Sequence, residues 1–147
     1  MITAIDTNVL LDVLIPNEKF IELSSRAIEK AAGEGSLVVC DAVYGELCVQ
    51  FTAQRECEEF LDKNEIRIEP LSRSALFLAS RIWLSNMQQG GPRPQILADF
   101  LIGAHAMTQA NRLVSRDRGF YRKLFPSLTL IDPARHSPAA DSEREQP

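Results

Sequence analysis

The sequence of 147 residues predicts an α/β sandwich with a largely parallel sheet. Short apolar segments alternate along the chain with longer segments in which apolar residues recur at helical spacing. Glycines separate some of these segments, as at Gly33 and Gly35, where a helical pattern ends. Strands that alternate with helices are typical of a parallel sheet covered by helices.

Five strands are predicted, each of them short and apolar enough to be buried within such a sheet. The first strand ends at Asp6, and the fourth follows the polar pair Asn111 and Arg112. In chain order the predicted strands are MITAID (1–6), SLVVC (36–40), IRIEPL (66–71), LVS (113–115) and LTLI (128–131).

Seven helical segments connect or follow these strands. The first ends before Pro16, because a residue that precedes proline is disfavoured in the helical region. Asp41 and Ser72 are residue types that cap helix N-termini, and we expect each to cap the helix that follows it. The predicted helices cover NVLLDVL (8–14), about 18–32, about 42–52, about 54–63, about 72–88, ILADFLIGAHAMTQA (96–110) and GFYRKLF (119–125).

The composition indicates one soluble globular domain with a substantial core. The apolar fraction is 45% and the charged fraction 24%, both ordinary for such a protein. We assign the domain to residues 1–132. The remainder, 133–147, is polar, contains prolines and has almost no large apolar residues, so we expect a disordered tail.

Charge, cysteines and hydropathy exclude several classes of protein. A net charge of −4 argues against a general polyanion binder, so contact with nucleic acid must depend on a local basic patch or on bound metal. The three cysteines, Cys40, Cys48 and Cys57, lack CxxC spacing, which argues against a disulfide framework or a zinc site. No signal peptide and no run of about 20 apolar residues is seen. We therefore expect a cytoplasmic protein that does not enter a membrane.

Four acidic residues are the most informative feature of the chain. Asp6 and Asp117 follow predicted strands, and such ends meet at the edge of a parallel sheet where active sites form. Glu46 lies one turn into a helix and borders its packed side, while Asp99 lies in the first turn of another, where the helix dipole favours a carboxylate. We expect the four side chains to cluster.

Clustered carboxylates repel one another, and one or more pKa values rise unless a cation compensates. Mg²⁺ or Mn²⁺ takes oxygen ligands and is commonly held by carboxylates together with substrate phosphates. One or two such ions would support hydrolysis of a phosphoester. The sequence therefore predicts a metal-dependent enzyme that acts on phosphoesters.

Four segments of the chain resemble PIN-domain ribonucleases, and in particular the VapC toxins of bacterial toxin–antitoxin pairs. The likeness covers about residues 1–132. The matching segments are IDTNVLLDVL (5–14), the helix of Glu46, LADFLIGAHA (97–106) and SRDRGFY (115–121).

The resemblance implies a three-layer α/β sandwich, a Mg²⁺ or Mn²⁺ centre, endonucleolytic cleavage of RNA, homodimerisation and inhibition by a cognate antitoxin. It also implies that Asp6, Asp99 and Asp117 bind metal, that Glu46 is a ligand or positions a water, and that Asn8 and Ser115 support the site. Ser115 stands where many relatives have threonine, a change that we expect to leave metal binding intact.

Basic residues near the acids are candidates for binding the RNA backbone. Arg116 and Arg118 flank Asp117, and Arg93 precedes Asp99. A solvated basic face is the alternative, and a phosphate-binding rim is equally consistent with the pattern. We expect His105 to be a core or surface residue without a catalytic role. We assign surface or capping roles to Asp12, Asp41, Asp62 and Asp132, and no role to His136.

Two other functions require residues that this chain lacks, and two alternatives stay open. A haloacid-dehalogenase-like phosphatase needs a second acid two residues after the first, where this chain has Asn8. A phospho-acceptor receiver needs an acid pair after the first strand and a late lysine, and neither is present. A PIN-fold RNA-processing nuclease without an antitoxin, or a non-catalytic RNA- or protein-binding module, stays open.

Overall fold

The computed structural model describes residues 1–90 and 97–135, and this part of the chain forms the predicted α/β sandwich. All five strands pair in parallel within one sheet. The strands are β1 (Ile2–Ile5), β2 (Ser36–Val39), β3 (Ile66–Ile68), β4 (Arg112–Val114) and β5 (Leu130–Ile131).

Helices occupy the connections between the strands, as the hydrophobic periodicity predicted. The helices are α1 (Thr7–Leu14), α2 (Ile21–Glu34), α3 (Asp41–Cys48), α4 (Gln54–Lys63), α5 (Arg73–Gln88), α6 (Leu97–Gln109) and α7 (Arg118–Leu124). Helix α5 begins with the predicted cap, since the Ser72 side chain accepts a hydrogen bond from the Ala75 backbone N–H at 3.1 Å.

The strand order β3-β2-β1-β4-β5 places the start of the chain at the centre of the sheet. The chain passes outward from β1 through β2 to β3 and then returns to add β4 on the other side of β1. Ala4 pairs with Val38 of β2 and with Leu113 of β4. In open parallel sheets, ligands bind beyond the carboxyl ends of the strands where the order reverses. Here that point lies between β1 and β4.

Some predicted boundaries were wrong. Helix α3 begins at Asp41 with Cys40 as its N-cap, and it ends at Cys48 instead of extending to 52. Asp41 therefore caps no helix; its side chain accepts a hydrogen bond from the Leu71 backbone N–H at 3.0 Å. The third strand is also shorter than predicted, since β3 stops at Ile68 instead of extending to 71.

Helix α6 passes close to the end of α7 because Gly103 has no side chain. A Cβ atom at Gly103 would lie 2.4 Å from Cε2 of the Phe125 ring. Phe125 is itself buried, with its ring against Phe120 and Tyr121 at centroid distances of 6.4 and 6.1 Å. The glycine within this strongly helical pattern thus reflects a close approach between α6 and the end of α7.

The predicted tail, 133–147, falls mostly outside the described residues, as does His136. Of this segment the structure describes residues 133–135, which form a turn after β5, with the Ala134 N–H bonded to the Asp132 side chain at 3.0 Å. Cys40, Cys48 and Cys57 are free thiols. Within the described ranges, no helix has the length and apolar character needed to span a membrane.

Candidate active site

Asp6 occupies the turn from β1 into α1 at the reversal point of the sheet. Its backbone N–H donates to the Val114 carbonyl of β4 at 2.9 Å, which extends the pairing of the two strands by one residue. Its Oδ1 accepts the Thr7 backbone N–H at 2.7 Å, so the carboxylate also caps α1. The backbone of two strands and a helix therefore fixes where this carboxylate lies.

The second oxygen of Asp6 is surrounded by donors. Oδ2 accepts from Ser115 Oγ at 2.7 Å, from Tyr121 Oη at 3.0 Å and from Asn8 Nδ2 at 3.4 Å. Asp6 is only 4% exposed, and burial raises its pKa, while the hydrogen bonds from Ser115, Tyr121 and Thr7 oppose that rise. The crowding of Oδ2 leaves Oδ1, which has one donor, as the oxygen better able to take a further ligand.

Glu46 is held at the same place by a threonine. Its Oε1 accepts from the hydroxyl of Thr7 at 2.8 Å, and Thr7 is the residue whose backbone bonds Asp6. Glu46 is half-buried, in agreement with the prediction that it borders the packed side of α3. Three consecutive residues thus contribute to the site: Asp6 a carboxylate, Thr7 a hydroxyl that orients Glu46, and Asn8 an amide.

The fourth feature of the site is the position and the pKa of Asp99. It lies in the first turn of α6, as predicted, and is half-buried. Burial, together with the negative charges of Asp6, Asp117 and Glu46, raises its pKa to about 6. Asp99 is therefore near enough to the other three acids for their charges to affect its pKa.

Asp117 follows β4 and is the most exposed of the four. Its backbone N–H donates to Ser115 Oγ at 3.0 Å, so the hydroxyl that donates to Asp6 also accepts from Asp117. Asp117 stands at the N-cap position of α7, yet its side chain makes no capping hydrogen bond. Its carboxylate is therefore available for another partner.

The donor set fits a hard divalent cation in its chemistry, since all four groups are carboxylates and hard cations take oxygen ligands. As the side chains stand, no group of three His, Cys, Asp or Glu residues in 1–90 and 97–135 is close enough together to hold an ion.

The arginines predicted near the site differ in their surroundings. Arg116 forms a two-bond ion pair with Asp12, at 2.7 and 2.9 Å. Arg118, at the start of α7, has a buried Nη1 with no hydrogen-bond partner among the described residues. Arg93 lies outside the described residues.

The predicted surface or capping role of Asp12 was wrong, since the residue is only 3% exposed and pairs with Arg116. Helical spacing gave no sign of this, because the cation that compensates the charge lies 104 residues away in the sequence. Asp62 is exposed as predicted.

His105 is a core residue, as expected. It is 1% exposed, burial lowers its pKa, and its Nε2 has no hydrogen-bond partner in the described part of the chain.

Two residues of the site were not found from the sequence. Thr7 orients Glu46, and Tyr121 donates to Asp6 from the middle of α7. Thr7 could have been suspected from its place between Asp6 and Asn8. Tyr121 gave no signal, because its pattern in GFYRKLF is that of an ordinary core aromatic.

Comparison with known proteins agrees with this architecture. The family model of the PIN domain matches residues 3–125. The structure is similar to VapBC2 from Rickettsia felis bound to a promoter DNA fragment, with a TM-score of 0.69, 20% identity and coverage of 89% of this chain and 98% of that chain.

Two further solved structures show the same fold. VapBC-1 from nontypeable Haemophilus influenzae gives a TM-score of 0.69 at 17% identity, covering 91% of this chain and 99% of that chain. A toxin–antitoxin complex from Klebsiella pneumoniae gives 0.66 at 15% identity, covering 89% and 97%. Among curated proteins, no match was found.

Proposed function

The chain belongs to the PIN domain family, and from that premise we propose that it is a metal-dependent endoribonuclease, the toxin of a type II toxin–antitoxin pair. The observation that carries the proposal is the shared hydrogen bonding that links Asp6 to Glu46 through Thr7 and to Asp117 through Ser115, while burial and the charges of these three acids raise the pKa of Asp99 to about 6. A fold retains such repulsion at little benefit unless a cation compensates it.

Each acid has a distinct role in the proposed site. Asp6, Asp99 and Asp117 would hold Mg²⁺ or Mn²⁺, with Oδ1 of Asp6 as the ligand because Oδ2 is occupied by donors. Glu46, oriented by Thr7, is a further ligand or positions a water. The chemistry supplied by a bound ion would be a water of lowered pKa for attack on phosphorus and positive charge beside the leaving oxygen.

The remaining polar residues support these groups. Asn8 and Ser115 hold Asp6, and Ser115 also fixes the backbone at Asp117. Arg118, which is partly exposed beside Asp117 at the start of α7, is a candidate contact for the RNA backbone. Arg93, in the segment before Asp99, keeps the same proposed role.

The proposed partners follow from similar proteins and from the surface. The similar structures include a toxin–antitoxin complex, which supports a cognate antitoxin for this chain. Helix α5 carries the exposed apolar residues Leu76, Phe77 and Leu84 and none of the four acids, which supports homodimerisation away from the site. Such a toxin acts on RNA in the cytoplasm, with residues 1–132 as its catalytic domain and 133–147 as a dispensable tail.

A metal-dependent cleavage assay tests the proposal. Purified protein is incubated with a pool of structured and unstructured RNA, with Mn²⁺ or with EDTA. We expect cleavage with Mn²⁺ only, and we expect Asp99→Asn to abolish it in a folded protein. Asp99 is preferred over Asp6 for substitution because an amide at Asp6 would confront three hydrogen-bond donors.

Asp62→Asn is the matched control, because it removes the same charge from an exposed position on α4. Cleavage by Asp99→Asn at the rate of Asp62→Asn would contradict the proposed site. RNA binding by the parent without any cleavage would favour the non-catalytic binding module. Cleavage without an antitoxin gene beside this one would favour an RNA-processing nuclease.

A further inference from the structure

A second buried carboxylate lies outside the acid cluster. Asp12, on α1, is 3% exposed, although its position in the chain gives no hint of burial. Its two oxygens are fully engaged: Oδ2 accepts from Ser24 Oγ of α2 at 2.7 Å and from Arg116 Nε at 2.7 Å, and Oδ1 accepts from Arg116 Nη2 at 2.9 Å. A buried charge of this kind requires a paired and hydrogen-bonded partner.

Arg116 is held by two further contacts. Its guanidinium lies 4.0 Å from the centroid of the Phe20 ring, which favours a cation over an aromatic face. Its backbone N–H donates to Asn8 Oδ1 at 3.3 Å, and its neighbours in the chain are Ser115 and Asp117. The side chain thus connects α1 and the segment before α2 to the short loop between β4 and α7.

This loop determines where Asp117 lies. Asp117 makes no side-chain capping bond of its own, and its backbone is held through Ser115. The ion pair with Asp12 fixes Arg116, which lies between Ser115 and Asp117. The amide of Asn8 is fixed by the same residue, since its Oδ1 accepts from Arg116 while its Nδ2 approaches Asp6.

We propose that Asp12 and Arg116 form a positioning pair that sets Asn8 and Asp117 relative to Asp6, so that the acids can share a cation. The proposal rests on the proposed function. It assigns Arg116 to the geometry of the site instead of to RNA phosphate. The reason is that Asp12 compensates the charge of Arg116 and occupies its Nε and Nη2, so the guanidinium has no uncompensated charge to offer an RNA phosphate.

Arg116→Lys tests the pair, because lysine keeps the charge and loses the two-bond geometry. Asp12→Asn removes the charge of the other partner. The matched control is Arg112→Lys, which disturbs the 3.0 Å ion pair between Arg112 of β4 and Glu34 of α2 at the opposite edge of the sheet. The measurements are the metal-free melting temperature, Mn²⁺ affinity by electron paramagnetic resonance, RNA affinity in EDTA by fluorescence anisotropy, and kcat and KM for cleavage.

We expect Arg116→Lys to be folded and to melt close to Arg112→Lys, while its Mn²⁺ affinity and kcat fall about tenfold to a hundredfold and its RNA affinity in EDTA is unchanged. Asp12→Asn should show the same pattern. If Asp12→Asn fails to fold, the double variant Asp12→Asn with Arg116→Gln, which replaces the ion pair with a neutral one, supplies the second measurement.

Two results would overturn the positioning role while leaving the proposed function intact. One is a fall in RNA affinity with Mn²⁺ affinity and kcat unchanged, which would make Arg116 a phosphate contact. The other is equality of Arg116→Lys and Arg112→Lys in every measurement, which would make the pair a general stabilising contact. A parent protein that neither binds Mn²⁺ nor cleaves RNA would instead overturn the proposed function, and the positioning role with it.

Discussion

Tyr121 Oη donates a hydrogen bond to Asp6 Oδ2 at 3.0 Å across 115 residues of sequence. Tyr121 is completely buried within helix α7, and Asp6 directly follows the first strand. The bond favours the ionised form of Asp6 and so opposes the effect of burial on its pKa. The final helix of the domain thereby helps to keep the first acid charged.

Tyr121→Phe should raise the pKa of Asp6 further, because one of its donors is lost. Mn²⁺ binding requires the ionised carboxylate, so the pH at which binding is half-maximal should move upward. Loss of a buried hydrogen bond to a charged acceptor should also lower the free energy of unfolding by about 1–3 kcal/mol. Mn²⁺ affinity measured between pH 5 and 8 gives the first quantity and chemical denaturation the second.

Tyr44→Phe is the control, since Tyr44 is the other of the two tyrosines in the chain. Its hydroxyl lies beside the Cys48 thiol and donates to none of the four acids. We expect no change in the pH dependence of Mn²⁺ binding for this variant. Identical pH profiles for Tyr121→Phe and the parent would show that the bond does not control Asp6.

Asp99→Asn should have opposite effects with and without metal. In the folded protein the pKa of Asp99 rises from 3.8 to about 6, so the folded state binds its proton more tightly than the unfolded state does. Stability from this group is present at pH 4 and is lost as the pH rises towards 6. At pH 7.5 the free energy of unfolding of metal-free Asp99→Asn should therefore exceed that of the parent by about 1 kcal/mol after allowance for solvent screening, and its melting temperature should be at or above the parent's. Near pH 4 the two proteins should be equally stable.

With Mn²⁺ the order should reverse, because the variant lacks a ligand. A ligand that binds only the folded parent stabilises it by about 2.7 kcal/mol at a hundredfold excess over Kd. Differential scanning fluorimetry with and without Mn²⁺ checks both halves, with Asp62→Asn as the control for loss of charge. An equal Mn²⁺ shift in parent and Asp99→Asn would remove the physical basis of the metal site.

Gly103→Ala should destabilise the fold despite the higher helix propensity of alanine. The new Cβ would lie 2.4 Å from the Phe125 ring, which is confined by Tyr121 and Phe120. Overpacking of this kind costs about 1–3 kcal/mol, whereas the propensity gain is at most about 1 kcal/mol. Thermal denaturation measures the balance.

Gly33→Ala provides the contrast, because Gly33 lies in α2 and nothing stands within 4 Å of its added Cβ. We expect this variant to be as stable as the parent or more so. In a Phe125→Leu background, Gly103→Ala should destabilise the fold less, because the smaller leucine leaves space for the new Cβ. A stable Gly103→Ala would show that α6 and α7 can separate at little cost.

The oligomeric state should depend on α5. Phe77 is 65% exposed beside Leu76 and Leu84, and burying this surface would favour a two-fold dimer. We expect the parent to have a dimeric mass by light scattering at tens of micromolar, and Phe77→Ser to shift it towards the monomer. Val49→Ser, at an exposed apolar site outside α5, should leave the mass unchanged. A monomeric parent would contradict the proposed dimer.

The sequence by itself determined the order of the elements and the edge at which Asp6 and Asp117 emerge. Both follow from local patterns: apolar runs mark the buried strands, helical periodicity marks the connections, and the carboxyl ends of parallel strands share one edge. Glu46 and Asp99 could be placed in the same way, from their positions within their own helices.

Only the tertiary structure decided what neutralises and orients these charges. Asp12 has the sequence context of a surface residue, yet Arg116 buries it; Tyr121 has the context of a core aromatic, yet it donates to Asp6. Gly103 needed Phe125 to explain it. In each case the partner lies far away in the chain or on another element. The cost of burying a charge or filling a space depends on that partner and not on the residue's neighbours in sequence.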